Sequence, residues 1–236
     1  MEQSLVLGYW PFQGRVQPIR YLLKYVNAEY SEKLYFERSD WLKGDKITSE
    51  FEHVELPYLK ESENSGVEIV SGFEDILGHL NNKFGLEAKT DEENEKYKSV
   101  LADCMKLFQK TEKLVYDIAH FDEKRRDFNR NAMDFLKKID DQLKHENGST
   151  GSRLNGVDFY VFYLVNLVSS MIQGCLQSFK FITRFQARIM KNWGIQEYQR
   201  AMVRQKFPFF DQDAIWGSFN KMGPVLSTPM APYATE

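Results

Sequence analysis

A tyrosine at the end of an apolar run, followed by a Gly-Arg turn, is where this sequence could do chemistry. Leu5 to Trp10 is rich in apolar and aromatic residues and reads as a short buried strand that Pro11 and Gly14 break. Tyr9 then supplies a hydroxyl and Arg15 a fixed guanidinium at the mouth of a strand-to-helix crossover. Both groups donate hydrogen bonds, so together they could hold an anion, a thiolate among them. The same pair also reads as a half-buried strand aromatic and a solvated loop arginine, and local spacing does not choose between the two.

The elements that must position these groups follow in order. Ile19, Leu22, Leu23 and Val26 mark one face of a helix after the turn. Tyr30 to Phe36 is a second strand candidate, and residues 38–55 read as polar and irregular, with Trp41 the one large apolar residue early in them. Leu56-Pro57-Tyr58-Leu59 reads as a short strand led in by a proline, where an X-Pro bond can be cis and the Leu56 backbone could be left open to a ligand. Asn64-Ser65-Gly66 reads as a turn, and Val67 to Val70 completes a hairpin. Ser71-Gly72-Phe73-Glu74 has a capping-box pattern ahead of a helix to about Phe84. From Glu95 the strand alternation is gone. Tyr97, Leu101, Cys104, Met105 and Phe108 recur at helical spacing, a second long helix is expected from Asn131 to His145, and the charge run 122–130 reads as its solvated entry. Asn155 with Asp158 forms a capping box for an almost wholly apolar helix, Phe159 to Ile172. Two further helices are expected over 176–191 and 195–205. The predicted organisation is an α/β domain over 1–86, an all-α domain over 95–220 and an extended Pro-, Ser- and Thr-rich tail over 221–236, whose partner would be another protein.

Bulk properties exclude several classes. With 236 residues, 42% of them hydrophobic, the chain can bury real cores. A formal charge of −3 gives no general pull toward nucleic acid. No run approaches the roughly 18 apolar residues of a membrane span, and the N-terminus lacks the pattern of a secretory signal, so a cytoplasmic location is expected. Two cysteines are too few for a disulfide framework and fit a reducing compartment. His53, His79, His120 and His145 have no metal-ligand spacing, so no metal is expected.

Taken in register, LGYW, Gly14, IRYLLKY, Trp41, LPYL, the VDF of the capping box, ITRF and AIWG resemble the cytosolic glutathione transferases, nearest the Mu class, with a sigma- and alpha-like Gly-Arg turn. The resemblance covers about Leu5 to Asn220. It implies a thioredoxin-like N-terminal domain, an all-helical C-terminal domain and a two-fold dimer, either of identical chains or with a related subunit. It also implies glutathione as substrate, conjugated in a detoxifying reaction to a small hydrophobic electrophile. Tyr9 would donate to the glutathione sulfur with Arg15 near it. Trp10, Trp41 and Lys46 would hold the glycine end, and Leu56 before Pro57 would pair with the cysteinyl backbone. Phe12, Tyr116 and Phe209 would wall the second-substrate pocket.

The departures gather at one end of the implied site. The Gln-Ser pair that holds the γ-glutamyl carboxylate falls on Gly72 and Phe73, leaving Ser71 as the nearest hydroxyl, and Glu74 adds a negative charge. An asparagine before the Leu-Pro is Glu55, and the acid that reaches across the dimer has Asp103 as its nearest match. Two lost charge-assisted contacts at roughly 1.5–3 kcal/mol each would weaken glutathione binding by roughly two to four decades. The sequence therefore supports two readings: a glutathione transferase, and a body of that fold that has lost catalysis and serves as a structural or adaptor subunit.

Overall fold

In a computed structural model that describes residues 4–63, 66–145, 148–151 and 153–218, Leu5, Leu7 and Tyr9 share one buried face of strand β1 (Ser4–Tyr9). The opposite face is occupied at Gly8 by the Tyr58 ring, against which any Cβ would collide. This strand lies inside a four-stranded sheet. It runs parallel to β2 (Ser31–Leu34) and antiparallel to β3 (Tyr58–Glu63), and β3 pairs antiparallel with β4 (Gly66–Ser71), giving the order β2-β1-β3-β4.

Helices α1 (Gln17–Tyr25) and α3 (Phe73–Lys83) cover the Leu5-Leu7-Tyr9 face. On the other face, Tyr35, Trp41, Phe51, Val54 and Tyr58 form a separate aromatic core. The short helix α2 (Arg38–Leu42) delivers Trp41 to it, in a segment read from sequence as irregular. That helix is capped reciprocally by Glu37 and Asp40, carboxylates in place of the usual hydroxyl or amide, and at five residues it carries too little periodicity to be read.

The remaining described elements are helices: α4 (Asp91–Val115), α5 (Phe121–Leu143), α6 (Gly156–Met171), α7 (Lys180–Ile189) and α8 (Trp193–Gln205). Thr90 caps α4, so the helix begins before Glu95, and α5 takes in the whole 122–130 charge run. Helix α6 is the central one. Its Asn155–Asp158 capping box is formed, and Asp158 also accepts from the Ser149 backbone and hydroxyl, so its buried carboxylate is fully engaged. Asn81 of α3 accepts from Gly156 N at 2.8 Å, which fastens the sheet-bearing half to the start of α6. Cys104 and Cys175 are free and buried. The 64–65 part of the expected turn and the 221–236 tail lie outside the described residues.

Candidate active site

The strand register places the candidate residues in one row. Tyr9 pairs with Leu34, Gly8 pairs with Tyr58, and Tyr58 pairs with Ser71. The C-terminal end of β1, the cis Leu56-Pro57 lead into β3 and the β4–α3 junction therefore share one edge of the sheet. At this edge the Leu56 backbone N–H and C=O have no hydrogen-bond partner among the described residues, while Pro57 O accepts from Gly72 N at 2.9 Å.

Gly14 makes room for Tyr9. Its φ is +49°, a left-handed value that favours glycine, and a Cβ there would sit 2.8 Å from both the Tyr9 hydroxyl and the Phe12 ring. Phe12 meets Tyr9 edge-on, with centroids 5.5 Å apart. The turn is pinned from outside. Gln13 N and Gly14 N donate to Pro208 O and Phe209 O at 2.8 and 2.9 Å. Fully buried Arg20 donates to Phe12 O at 2.8 Å and pairs with Glu32. Burial pushes the Tyr9 hydroxyl up from 10 to about 12, against the pull of the Arg15 charge and backbone N–H. The hydroxyl thus stays protonated, and a donor, throughout the physiological range.

Arg15 is not a free cation. Its guanidinium donates to both carboxylate oxygens of Glu112 at 3.0 Å, an ion pair that joins the Gly14 turn to the last turns of α4. Sequence reasoning missed Glu112, which lies 97 residues away among many charged residues of one helix, with no local signal to single it out. The charges of Arg15 and Glu112 also act on buried Tyr160 of α6, another neighbour of the site with no signal of its own in an almost wholly apolar helix.

The other candidates fall into two groups. Phe12, Phe209 and Tyr116 are brought together through the 207–210 segment: Phe209 is fully buried and stacks on Trp216 at 5.4 Å, and Tyr116, 40% exposed, meets Phe210 edge-on at 6.1 Å. Trp10 is half-buried and meets Tyr35 edge-on. Trp41, by contrast, is buried in the aromatic core and stacks on Tyr58 at 5.9 Å. Lys46 donates to Val54 O at 2.5 Å and to Glu55 at 2.9 Å, so its charge is already matched.

At the β4–α3 junction, Ser71 does not cap the helix. The N-cap is Gly72, at φ +93°, and the Ser71 hydroxyl instead accepts from Glu55 N at 2.8 Å and donates to Glu55 O at 3.0 Å. Phe73 turns into the core against Tyr160, with centroids 4.9 Å apart. Exposed Glu74 and Asp75 occupy the first turn of α3, where an incoming carboxylate would otherwise meet helix N–H groups. Asp103, the nearest match to the acid expected to reach across a dimer, pairs with Lys138 within the chain, and Phe51 lies in the aromatic core 5.0 Å from Tyr58.

Solved structures and sequence relatives agree on the fold that carries this edge. A Pi-class glutathione S-transferase of Onchocerca volvulus superposes with a TM-score of 0.76 at 18% identity, covering 89% of this chain and 99% of that one. A sigma-class enzyme of Fasciola hepatica gives 0.72 at 21% identity, covering 84% and 96%. The fold is a thioredoxin-like domain joined to a helical domain, the architecture of glutathione transferases. In sequence, the Mu-class 26 kDa isozyme 51 of Fasciola hepatica is 28% identical over 213 residues, 89% of this chain and 95% of the relative. Glutathione S-transferase Mu 1 of Mus musculus is 27% identical over 228 residues, 91% and 99% of the two chains. No family model matches the chain. The chain thus has the fold of the glutathione transferases and is similar in sequence to Mu-class enzymes of that family.

Proposed function

We propose that this chain is a glutathione transferase, in which the Tyr9 hydroxyl donates to the sulfur of bound glutathione. One observation carries the reading: Tyr9 is a buried, protonated donor seated over a left-handed Gly14 at the edge of the sheet where the Leu56 backbone is open. A free thiol has a pKa of roughly 8.5 and reacts as the thiolate. A donor facing the sulfur favours the anion, lowers that pKa and raises the reactive fraction at neutral pH. The thiolate attacks an electrophilic carbon, a carbon–sulfur bond forms, and the displaced leaving group departs with the electron pair. Tyr9 keeps its proton throughout, and no metal is required.

Arg15 acts here with Glu112, as a bidentate pair that fixes the turn carrying Tyr9 and limits the positive charge offered to the sulfur. Phe12 and Tyr116 form the apolar side of the electrophile pocket, with the fully buried Phe209 as core packing and not as wall, and Trp10 and Lys46 border the glycine end. We take residues 1–86 as the glutathione-binding domain and 95–220 as the helical domain. The assembly is a dimer of like or related subunits, acting in the cytoplasm, where the buried Cys104 and Cys175 stay reduced. The 221–236 tail is read as a segment for a protein partner.

The pairing of Ser71 with Glu55 and the acidic start of α3 favour the second reading, a non-catalytic subunit, because they leave the γ-glutamyl carboxylate poorly served. A thermal-shift titration separates the two. Ligand at ten times its Kd adds about 1.4 kcal/mol to stability, a shift of a few degrees. Glutathione at tens of millimolar is expected to raise Tm by that order, and no shift would leave only the structural reading.

A further inference from the structure

Helix α8 packs inward through Ile195 and Met202, its two buried residues. At about 100° per residue these lie opposite Trp193, Glu197, Arg200 and Arg204, which fall within about 60° of one another. The outward stripe from Trp193 to Arg204 is about 16 Å long at ~1.5 Å per residue. Lys191 precedes this stripe and Lys206 follows it.

Apolar and basic groups share this side of the molecule. Trp193 is 71% exposed and Val203, on the flank of the stripe, 45%. The Trp193 side chain has no ring contact or hydrogen bond among the described residues. Lys191, Arg200, Arg204 and Lys206 are all exposed. Glu197 is the single acid of α8, and Arg200 pairs with it. Lys191, Arg204 and Lys206 make no ion pair among the described residues. On a chain of net charge −3, three unmatched cations beside a bare indole are a local excess.

The outward side of a helix is convex, so it suits an extended, yielding surface better than a compact ligand. A bilayer with anionic headgroups offers both chemistries that the stripe presents. Its phosphates and carboxylates meet the cations, and the boundary beneath them takes an indole and a valine while the indole N–H stays among polar groups. An acidic polypeptide answers the charges alone. Each cation near an anionic surface strengthens binding about five-fold, so a few of them give a reversible, salt-sensitive association.

We propose that the outward face of α8 docks on an anionic lipid surface, with Trp193 and Val203 at headgroup depth and Lys191, Arg204 and Lys206 on the headgroups. The test is co-sedimentation of the full chain with phosphatidylcholine vesicles carrying about 30% phosphatidylserine, and with pure phosphatidylcholine vesicles, at ~0.1 M salt. The anionic vesicles should bind at least about 10-fold more tightly. The double charge reversal Lys191→Glu with Arg204→Glu should remove that preference. Fluorescence gives an independent reading, because the other three tryptophans are buried or half-buried. Emission should move to the blue on anionic vesicles, and Trp193→Phe, which leaves the charges in place, should abolish the shift. Binding that is absent, equal on the two vesicles, or unchanged by the charge reversal would overturn the proposal. So would tighter binding to poly-glutamate than to the anionic vesicles, which would assign the face to an acidic polypeptide.

Discussion

The two ends of the candidate site sit on the same sheet edge, yet they are built in opposite ways. At the sulfur end every support serves one hydroxyl: Gly14 yields space, Arg20 and the 207–209 segment pin the turn, and Glu112 fixes Arg15. At the γ-glutamyl end the polar groups are spent on the chain itself. Ser71 bonds Glu55, Glu55 bonds Lys46, and the first turn of α3 presents two carboxylates. The contrast teaches that activation of a thiol and capture of the molecule carrying it are separable functions of one edge. The first needs a single positioned donor, whereas the second needs several charges left unmatched until ligand arrives.

Substitutions at each end test this division, the largest effect coming first. Tyr9→Phe removes the donor and leaves the ring contacts with Phe12. We expect kcat/KM for conjugation of a chlorinated aromatic to fall roughly 10²-fold, the usual cost of one lost donor to a developing or bound anion, with glutathione affinity changed far less. Equal losses in both would join the two ends that the account separates. Next, Glu74→Gln removes a charge at the start of α3 and leaves Gly72, whose φ of +93° favours glycine, in place. Regaining one charge-assisted contact of about 1.5 kcal/mol between the γ-glutamyl carboxylate and the helix N–H groups should tighten glutathione binding roughly 10-fold, read by calorimetry, with the rate at saturating glutathione unmoved. The smallest effect belongs to Glu55→Gln. It frees Lys46 from an exposed pair worth about 0.2–1 kcal/mol, so a two- to five-fold gain in affinity is expected, and this gain should vanish at high salt.

Much of the sulfur end was legible in the sequence because it is local. The β1 run, the Gly-Arg turn and the helix that follows all lie within residues 4–25, and each is announced by apolar period or by glycine. The Asn155–Asp158 box was readable for the same reason, being complete within four residues. What escaped was either distant or too short. Glu112 acquires its role only when α4 is laid across the Gly14 turn. Ser71 looks like a helix cap in sequence, but in the fold its hydroxyl finds the Glu55 backbone across the hairpin edge, and Gly72 takes the cap position. Helix α2 hid because a single turn has no periodicity to detect. The Thr90-x-x-Glu93 spacing was a readable start signal for α4, since the Thr90 hydroxyl accepts from Glu93 N.

The most direct measurement is an ultraviolet titration of the thiolate of glutathione bound to the wild-type chain and to Tyr9→Phe. The Tyr9 hydroxyl, which holds its proton to about pH 12, stabilises only the anionic sulfur. The bound thiol should therefore titrate clearly below its free value of roughly 8.5 in the wild type and return toward it in the variant. A bound thiol that titrates at the free value in the wild type, or at the same depressed value in both proteins, would contradict the assignment of Tyr9.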